Sequence, residues 1–103
     1  MFACRAWASF GWNGTALTIR GSGNVSSITR VSAGVYTINF STNMPDANYA
    51  IMGFTSDNNN TGDPLVVQRW TTDGYTASSV TIRSSNGSGG DADSTLINIA
   101  VFR

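Results

Sequence analysis

Short runs of β-branched and aromatic residues recur about every ten positions, each closed by Gly, Asn, Asp or Ser, and that spacing leaves little room for anything but strands joined by turns. The runs are Cys4–Phe10, Ala16–Arg20, Val25–Thr29, Val35–Ser41, Tyr49–Phe54, Leu65–Trp70, Ser79–Arg83 and Thr95–Phe102. Between them lie Trp12-Asn13-Gly14-Thr15, Gly21-Ser22-Gly23-Asn24, Ser32-Ala33-Gly34, Asn43-Met44-Pro45-Asp46, Thr72-Asp73-Gly74 and two longer polar loops, Ser56 to Gly62 and Ser84 to Asp93. Eight strands and no helix are expected. Period-2 alternation puts Leu17 with Ile19 on one face, Tyr36 with Ile38 and Phe40, and Val80 with Ile82, so these residues should form the core.

The last run behaves differently. Ile97, Ile99 and Val101 line one face, while Leu96, Ala100 and Phe102 line the other. A strand apolar on both faces either lies centrally in a sandwich or turns one face to another subunit. The pattern as a whole predicts one antiparallel β-sandwich of jelly-roll or immunoglobulin-like type, spanning residues 1–103 as a single domain. An immunoglobulin domain proper carries a Cys pair bracketing a Trp, and this chain has one cysteine. That thiol, Cys4, is expected to be buried in the first strand.

Composition narrows the chemistry. The six cations are all Arg, the six acids are all Asp, and Lys, Glu and His are missing. Nucleophilic or acid–base hydrolysis lacks its usual base, and Asp91 with Asp93, the nearest carboxylate pair, falls in a Gly/Ser loop where solvation should keep both pKa values ordinary. No enzyme activity is expected. Zinc is excluded by one Cys and no His. The loop from Asp57 to Asp63 spaces its oxygens as a calcium loop does, but Gln68 stands where a bidentate Glu belongs, so a solvated turn is expected. No metal and no cofactor are implied. A formal net charge of zero offers nothing to nucleic acid or to an anionic membrane, and no apolar run approaches the roughly 18 residues of a membrane span. No signal peptide is visible at the N-terminus either, so a soluble product without an export route is expected.

Three Trp and three Tyr in so small a chain suggest platforms for sugar rings, with neighbouring Asn and Asp to bind hydroxyls. Trp70 with Asp73 and Tyr75 is the first candidate ligand site, and Trp12 with Asn13 the second; core packing competes at each. For Trp7, inside a strand, packing is the expectation. Five Asn-x-Ser/Thr triplets, at Asn13, Asn24, Asn39, Asn59 and Asn86, are what a chain this rich in Asn, Ser and Thr produces by chance.

Several stretches carry a further likeness: Cys4-Arg5-Ala6-Trp7, Asn13-Gly14-Thr15, Ile19-Arg20, Gly23-Asn24-Val25-Ser26-Ser27-Ile28-Thr29, Gly34-Val35-Tyr36-Thr37-Ile38-Asn39-Phe40 and Met44-Pro45-Asp46-Ala47-Asn48-Tyr49-Ala50. In order and spacing, the first half of the chain resembles a small module of tail-fibre and other virion proteins of bacteriophages, especially phages of marine bacteria and cyanobacteria. The second half shares only polar loops and a final apolar strand. The resemblance implies a β-sandwich displayed on a virus particle, assembled as a homotrimer with other tail or major capsid proteins, with loops that contact the host surface and its polysaccharide. It implies no catalytic residues. Because the module opens almost at Met1, a capsid decoration protein that cements the phage head is an alternative, and a lectin-like carbohydrate-binding module is another. In this setting Arg5 and Arg20 are expected at a subunit interface, where the planar guanidinium presents several donors, together with Leu96, Ala100 and Phe102.

Overall fold

All eight expected strands form, in the expected order: β1 (Cys4–Trp12), β2 (Leu17–Gly23), β3 (Val25–Ser32), β4 (Val35–Phe40), β5 (Ala50–Ser56), β6 (Leu65–Arg69), β7 (Ser79–Ser85) and β8 (Leu96–Phe102). The computed structural model describes residues 3–56, 65–69, 74–85 and 93–103, and none of these is helical. Every hydrogen-bonded pair is antiparallel, and the spatial order is β2-β1-β8-β5-β6-β7-β4-β3.

This ladder turns over on itself where β5 meets β6, a junction of two paired positions, Phe54 with Val66 and Thr55 with Leu65. Phe10 on β1 and Tyr36 on β4 stand far apart in the order, yet their rings meet edge to face with centroids 5.3 Å apart. Two four-stranded layers therefore face each other, β2-β1-β8-β5 against β6-β7-β4-β3, as an antiparallel β-sandwich. Strands β8-β5-β6-β7 make a Greek key, three consecutive strands with the fourth returning beside the first.

The core lies between the layers and follows the predicted parity. Tyr36, Ile38 and Phe40 of β4, Val80 and Ile82 of β7, and Ile97, Ile99 and Val101 of β8 are all buried. Ala6, Ala8 and Phe10 of β1 complete it, and Met44 and Tyr49 close it from the β4–β5 connection. At β2 the expectation fails in part. Leu17 packs against the core, but Ile19 is 41% exposed. β2 is an edge strand, and across from it lies only the other edge, β3, so little covers its inner face. Cys4 is also exposed rather than buried; the register of β1 against β8 shifts between Cys4 and Ala6, so the alternation that buries Ala6 does not carry back to Cys4. β8 is central in its layer, between β1 and β5; its outer residues Leu96, Ala100 and Phe102 are half-buried.

The two edges β2 and β3 are consecutive in sequence, linked by Asn24 alone. Its φ of 55° is left-handed, a region that Asn tolerates better than most residues. The side chain exploits that position. Nδ2 donates to the carbonyls of Arg5 on β1 and Thr42 beyond β4, 3.0 Å each, and Oδ1 accepts from the Thr42 amide at 2.7 Å. One amide group thus ties the first layer to the second. Replacing Asn24 by Ala removes three hydrogen bonds and puts a Cβ-bearing apolar residue at positive φ, so stability in urea should fall by about 3 kcal/mol. Asn24→Gly should cost about 1 kcal/mol less, because glycine relieves the backbone part alone. Equal losses in the two variants would show that the positive φ contributes nothing.

Candidate functional site

The residues singled out from sequence fall in three places. At the end of the sandwich where β4 begins, Trp12 and Asn13 take structural roles. Asn13 Oδ1 accepts from the amides of Thr15 and Ala16, 2.8 Å each, which builds the β1–β2 turn around Gly14 (φ 96°). The half-buried Trp12 ring is covered by Arg30, whose guanidinium carbon lies 4.2 Å from the ring centroid. At the opposite end, where β4 finishes, Tyr75 stacks on Tyr49 with centroids 4.9 Å apart and an interplanar angle of 3°. The Tyr49 hydroxyl lies 2.8 Å from the carbonyls of Thr76 and Ser79, and burial pushes its pKa up to about 12. Trp12 and Tyr75 are thus separated by the length of β4 and do not form one site. Trp70, Asp73, Asp91 and the loop from Asp57 to Asp63 lie outside the described residues.

Beside Trp12 the structure corrects the expectation for Asp93. It is not a solvated loop carboxylate. Arg30 grips it in a two-point pair, Nε to Oδ1 at 3.1 Å and NH2 to Oδ2 at 2.6 Å, while the Gly34 amide and the Tyr36 hydroxyl also donate to Oδ1, at 2.9 and 2.5 Å. Burial pushes the Asp93 pKa up, but the donors outweigh it and hold the carboxyl below its ordinary range. The same burial, with the carboxylate alongside, holds the Tyr36 hydroxyl well above its ordinary value. An acid pinned in its ionised form by four donors is a brace between β3, β4 and the entry to β8, not a proton donor.

Arg5 and Arg20, the Arg residues expected at a subunit interface, each bond a carbonyl of their own chain. Arg20 NH2 donates to the Thr95 carbonyl at 2.6 Å and Arg5 Nε to the Arg103 carbonyl at 3.2 Å. Arg103 pairs through two bonds with Asp46, at 3.0 and 2.8 Å. That partner, helped by the Asn48 amide, holds the Asp46 carboxyl at about 2.

What the structure does assemble is the outer face of β2-β1-β8-β5. Trp7, Ala100 and Met52 stand side by side on three adjacent strands, paired Trp7 to Ala100 and Ala100 to Met52. Trp7 is 45% exposed and Met52 66% exposed. Between β5 and β8 a shallow groove is lined by Met52, Asn98, Ala100 and Phe102, so two of the predicted interface residues, Ala100 and Phe102, do share one surface. Packing in the core, expected for Trp7, is overturned. Its indole instead lies over β2, where a Cβ at Gly21 would come within 3.2 Å of the ring and one at Gly23 would overlap the indole nitrogen. Parity carried the signal: Arg5, Trp7 and Ser9 alternate with the core residues Ala6, Ala8 and Phe10. No metal-ligating group of three or more His, Cys, Asp or Glu occurs among the described residues. No protein-family model, curated protein or solved structure matches the chain.

The acid brace makes a pH prediction. The folded pKa of Asp93 and of Asp46 lies below the unfolded value of about 3.9, so their stabilisation is complete above that pH and drains away as pH falls through each folded value, about 2 for Asp46. Urea unfolding should give constant stability from pH 7 down to about 5 and a decline below 4. Asp93→Asn should lower stability at pH 7 by about 2 kcal/mol and flatten the acid decline. An unchanged decline in that variant would remove Asp93 as its cause.

Proposed function

We propose that this chain is a non-enzymatic bacteriophage virion module, a homotrimeric tail-fibre or receptor-binding sandwich that contacts the host surface. The observation that carries the reading is the row of Trp7, Ala100 and Met52, apolar side chains held outward on a sandwich whose core is already closed. Large apolar side chains exposed on adjacent strands of one face offer a surface for contact. The likeness to phage virion modules supports the same reading, since the stretches that carry it run from Cys4 to Ala50 and so cover β1 to β4 and the start of β5. The Greek key belongs equally to jelly-roll and immunoglobulin-like sandwiches, and the jelly-roll form is the finer assignment proposed with it.

Within the trimer the groove between β5 and β8 is the contact surface, with Ala100 at its floor and Met52 and Phe102 as its walls, filled by the neighbouring copy. Catalysis has no part in this reading. The described carboxylates Asp46 and Asp93 serve as ion-pair partners, and binding is what the outer face offers.

Two measurements test the proposal. Sedimentation velocity should give a trimer for the wild-type chain and a monomer for Met52→Glu, with the circular dichroism spectrum unchanged, because Met52 is exposed and outside the core. A wild-type chain that stays monomeric at about 100 μM, where interfaces of even modest affinity are occupied, refutes the trimer. An antibody raised against the chain should label the tail tips of intact particles. Label spread over the head would make the protein a capsid decoration protein instead, and particles without label would end the virion assignment.

A further inference from the structure

We propose that Trp7, laid flat over Gly21 and Gly23 at the edge of the sheet, is a stacking platform for a pyranose ring of an uncharged polysaccharide. This extends the host-contact reading and names the class of ligand.

The argument starts from the two glycines. Trp7 is in register with Gly23, and Ser9, the next outward residue of β1, with Gly21. Glycine at both positions leaves β2 with no side chain where the indole rests, so the ring can lie on the backbone itself. A methyl group at Gly23 would occupy the place of the indole nitrogen. One ring face is therefore covered by β2 and the other is presented to solvent, which accounts for an exposure of 45%. Covering edge glycines with an aromatic stabilises a sheet by itself. It does not require that the second face stay bare.

The surroundings select the ligand. Arg5 and Ser9 flank Trp7 on the outer face of β1, and Asn98 of β8 pairs with Ser9. A flat apolar patch rimmed by a guanidinium, a hydroxyl and an amide matches a sugar, whose ring has an apolar face and hydroxyls around its edge. A stacked nucleic-acid base would need a groove of cations for the phosphates, whereas the chain has a formal net charge of zero and Arg5 is the cation that β1 sets beside Trp7. The indole leans toward β2, away from Ala100 and the groove beyond it.

The test is an NMR titration of the intact ¹⁵N-labelled chain, whose three Trp residues give separate indole signals, with Trp7 assigned through Trp7→Phe. The probes are neutral hexasaccharides, one β-1,4-glucan, one β-1,3-glucan and one α-1,4-glucan, with a short oligothymidylate as comparison. At least one sugar should shift the Trp7 signal saturably, with a Kd on the order of 1 mM. Trp7→Ala should abolish the saturable binding of that sugar, seen then through backbone amides of β1 and β2. Gly23→Ala, which lifts the ring from its seat, should weaken binding by about fivefold or more while the melting temperature shows that the fold persists. The proposal is overturned if no sugar moves the Trp7 signal at 10 mM, a concentration about tenfold above that Kd, or if the shifts fall on the other two indoles. It is equally overturned if only the oligothymidylate binds. Antibody labelling of particles is independent of this titration, so failure of the sugar site leaves the virion assignment standing, and the reverse.

Discussion

The sandwich depends on one crossing. Eight strands in a single hydrogen-bonded order could lie as one broad twisted sheet; what makes them two facing layers is that the outermost strands, β2 and β3, are joined by Asn24 alone and must therefore sit beside each other. The residue that permits the crossing also secures it, since its amide holds Arg5 of one layer and Thr42 of the other. Once the edges are brought together, the rest follows from parity. Small residues on β1, Ala6 and Ala8, let the layers approach, and the larger Phe10 meets Tyr36 at the end where Asp93 braces the hairpin.

That geometry also explains why one face is left for other work. A two-layer sandwich buries only the inner side of each layer, so β8, apolar on both sides, sends Ile97, Ile99 and Val101 inward and leaves Ala100 and Phe102 half-covered outside. Met52 and Trp7 extend the same strip across the neighbouring strands. The Gly-rich sequence of β2, Gly21-Ser22-Gly23, first reads as a turn. In the folded chain it is the end of an edge strand, and its missing side chains are the seat of an aromatic ring.

Where strand periodicity governs, the sequence was a reliable guide: β4, β7 and β8 point the expected residues inward, and the eight elements appear where turn chemistry divides them. Ile19 shows the limit, because parity predicts a face but not whether another layer covers that face, and an edge strand faces little. Trp7 was legible and overlooked; an aromatic in a strand suggests core, yet Ala6 and Ala8 on either side already claim the inner face. Asp93 was not legible at all. Its partners are Arg30, Gly34 and Tyr36, about sixty residues upstream, and no local pattern distinguishes a carboxylate that will be gripped from one that will be solvated. The candidate ligand set divided for the same reason, since Trp12 and Tyr75 belong to opposite ends of a strand whose neighbours only the topology decides.

Among the described residues, Arg and Asp act as cross-linking groups. Arg30 and Arg103 each hold a carboxylate through two nitrogens, and Arg5 and Arg20 each reach a backbone carbonyl of a neighbouring segment. The two carboxylate pairs exploit a planar fork of donors, which a lysine ammonium lacks. Asp suits the partner role because its short side chain loses less rotamer freedom than Glu when fixed. Among the described residues these charges thus serve as cross-links between segments distant in sequence, 63 residues apart for Arg30 and Asp93 and 57 for Arg103 and Asp46. A charged residue already committed within its own fold is a poor clamp for a neighbour. On the outer face, Trp7 and Met52 stand clear of the core, and Arg5 beside Trp7 is already turned to the Arg103 carbonyl.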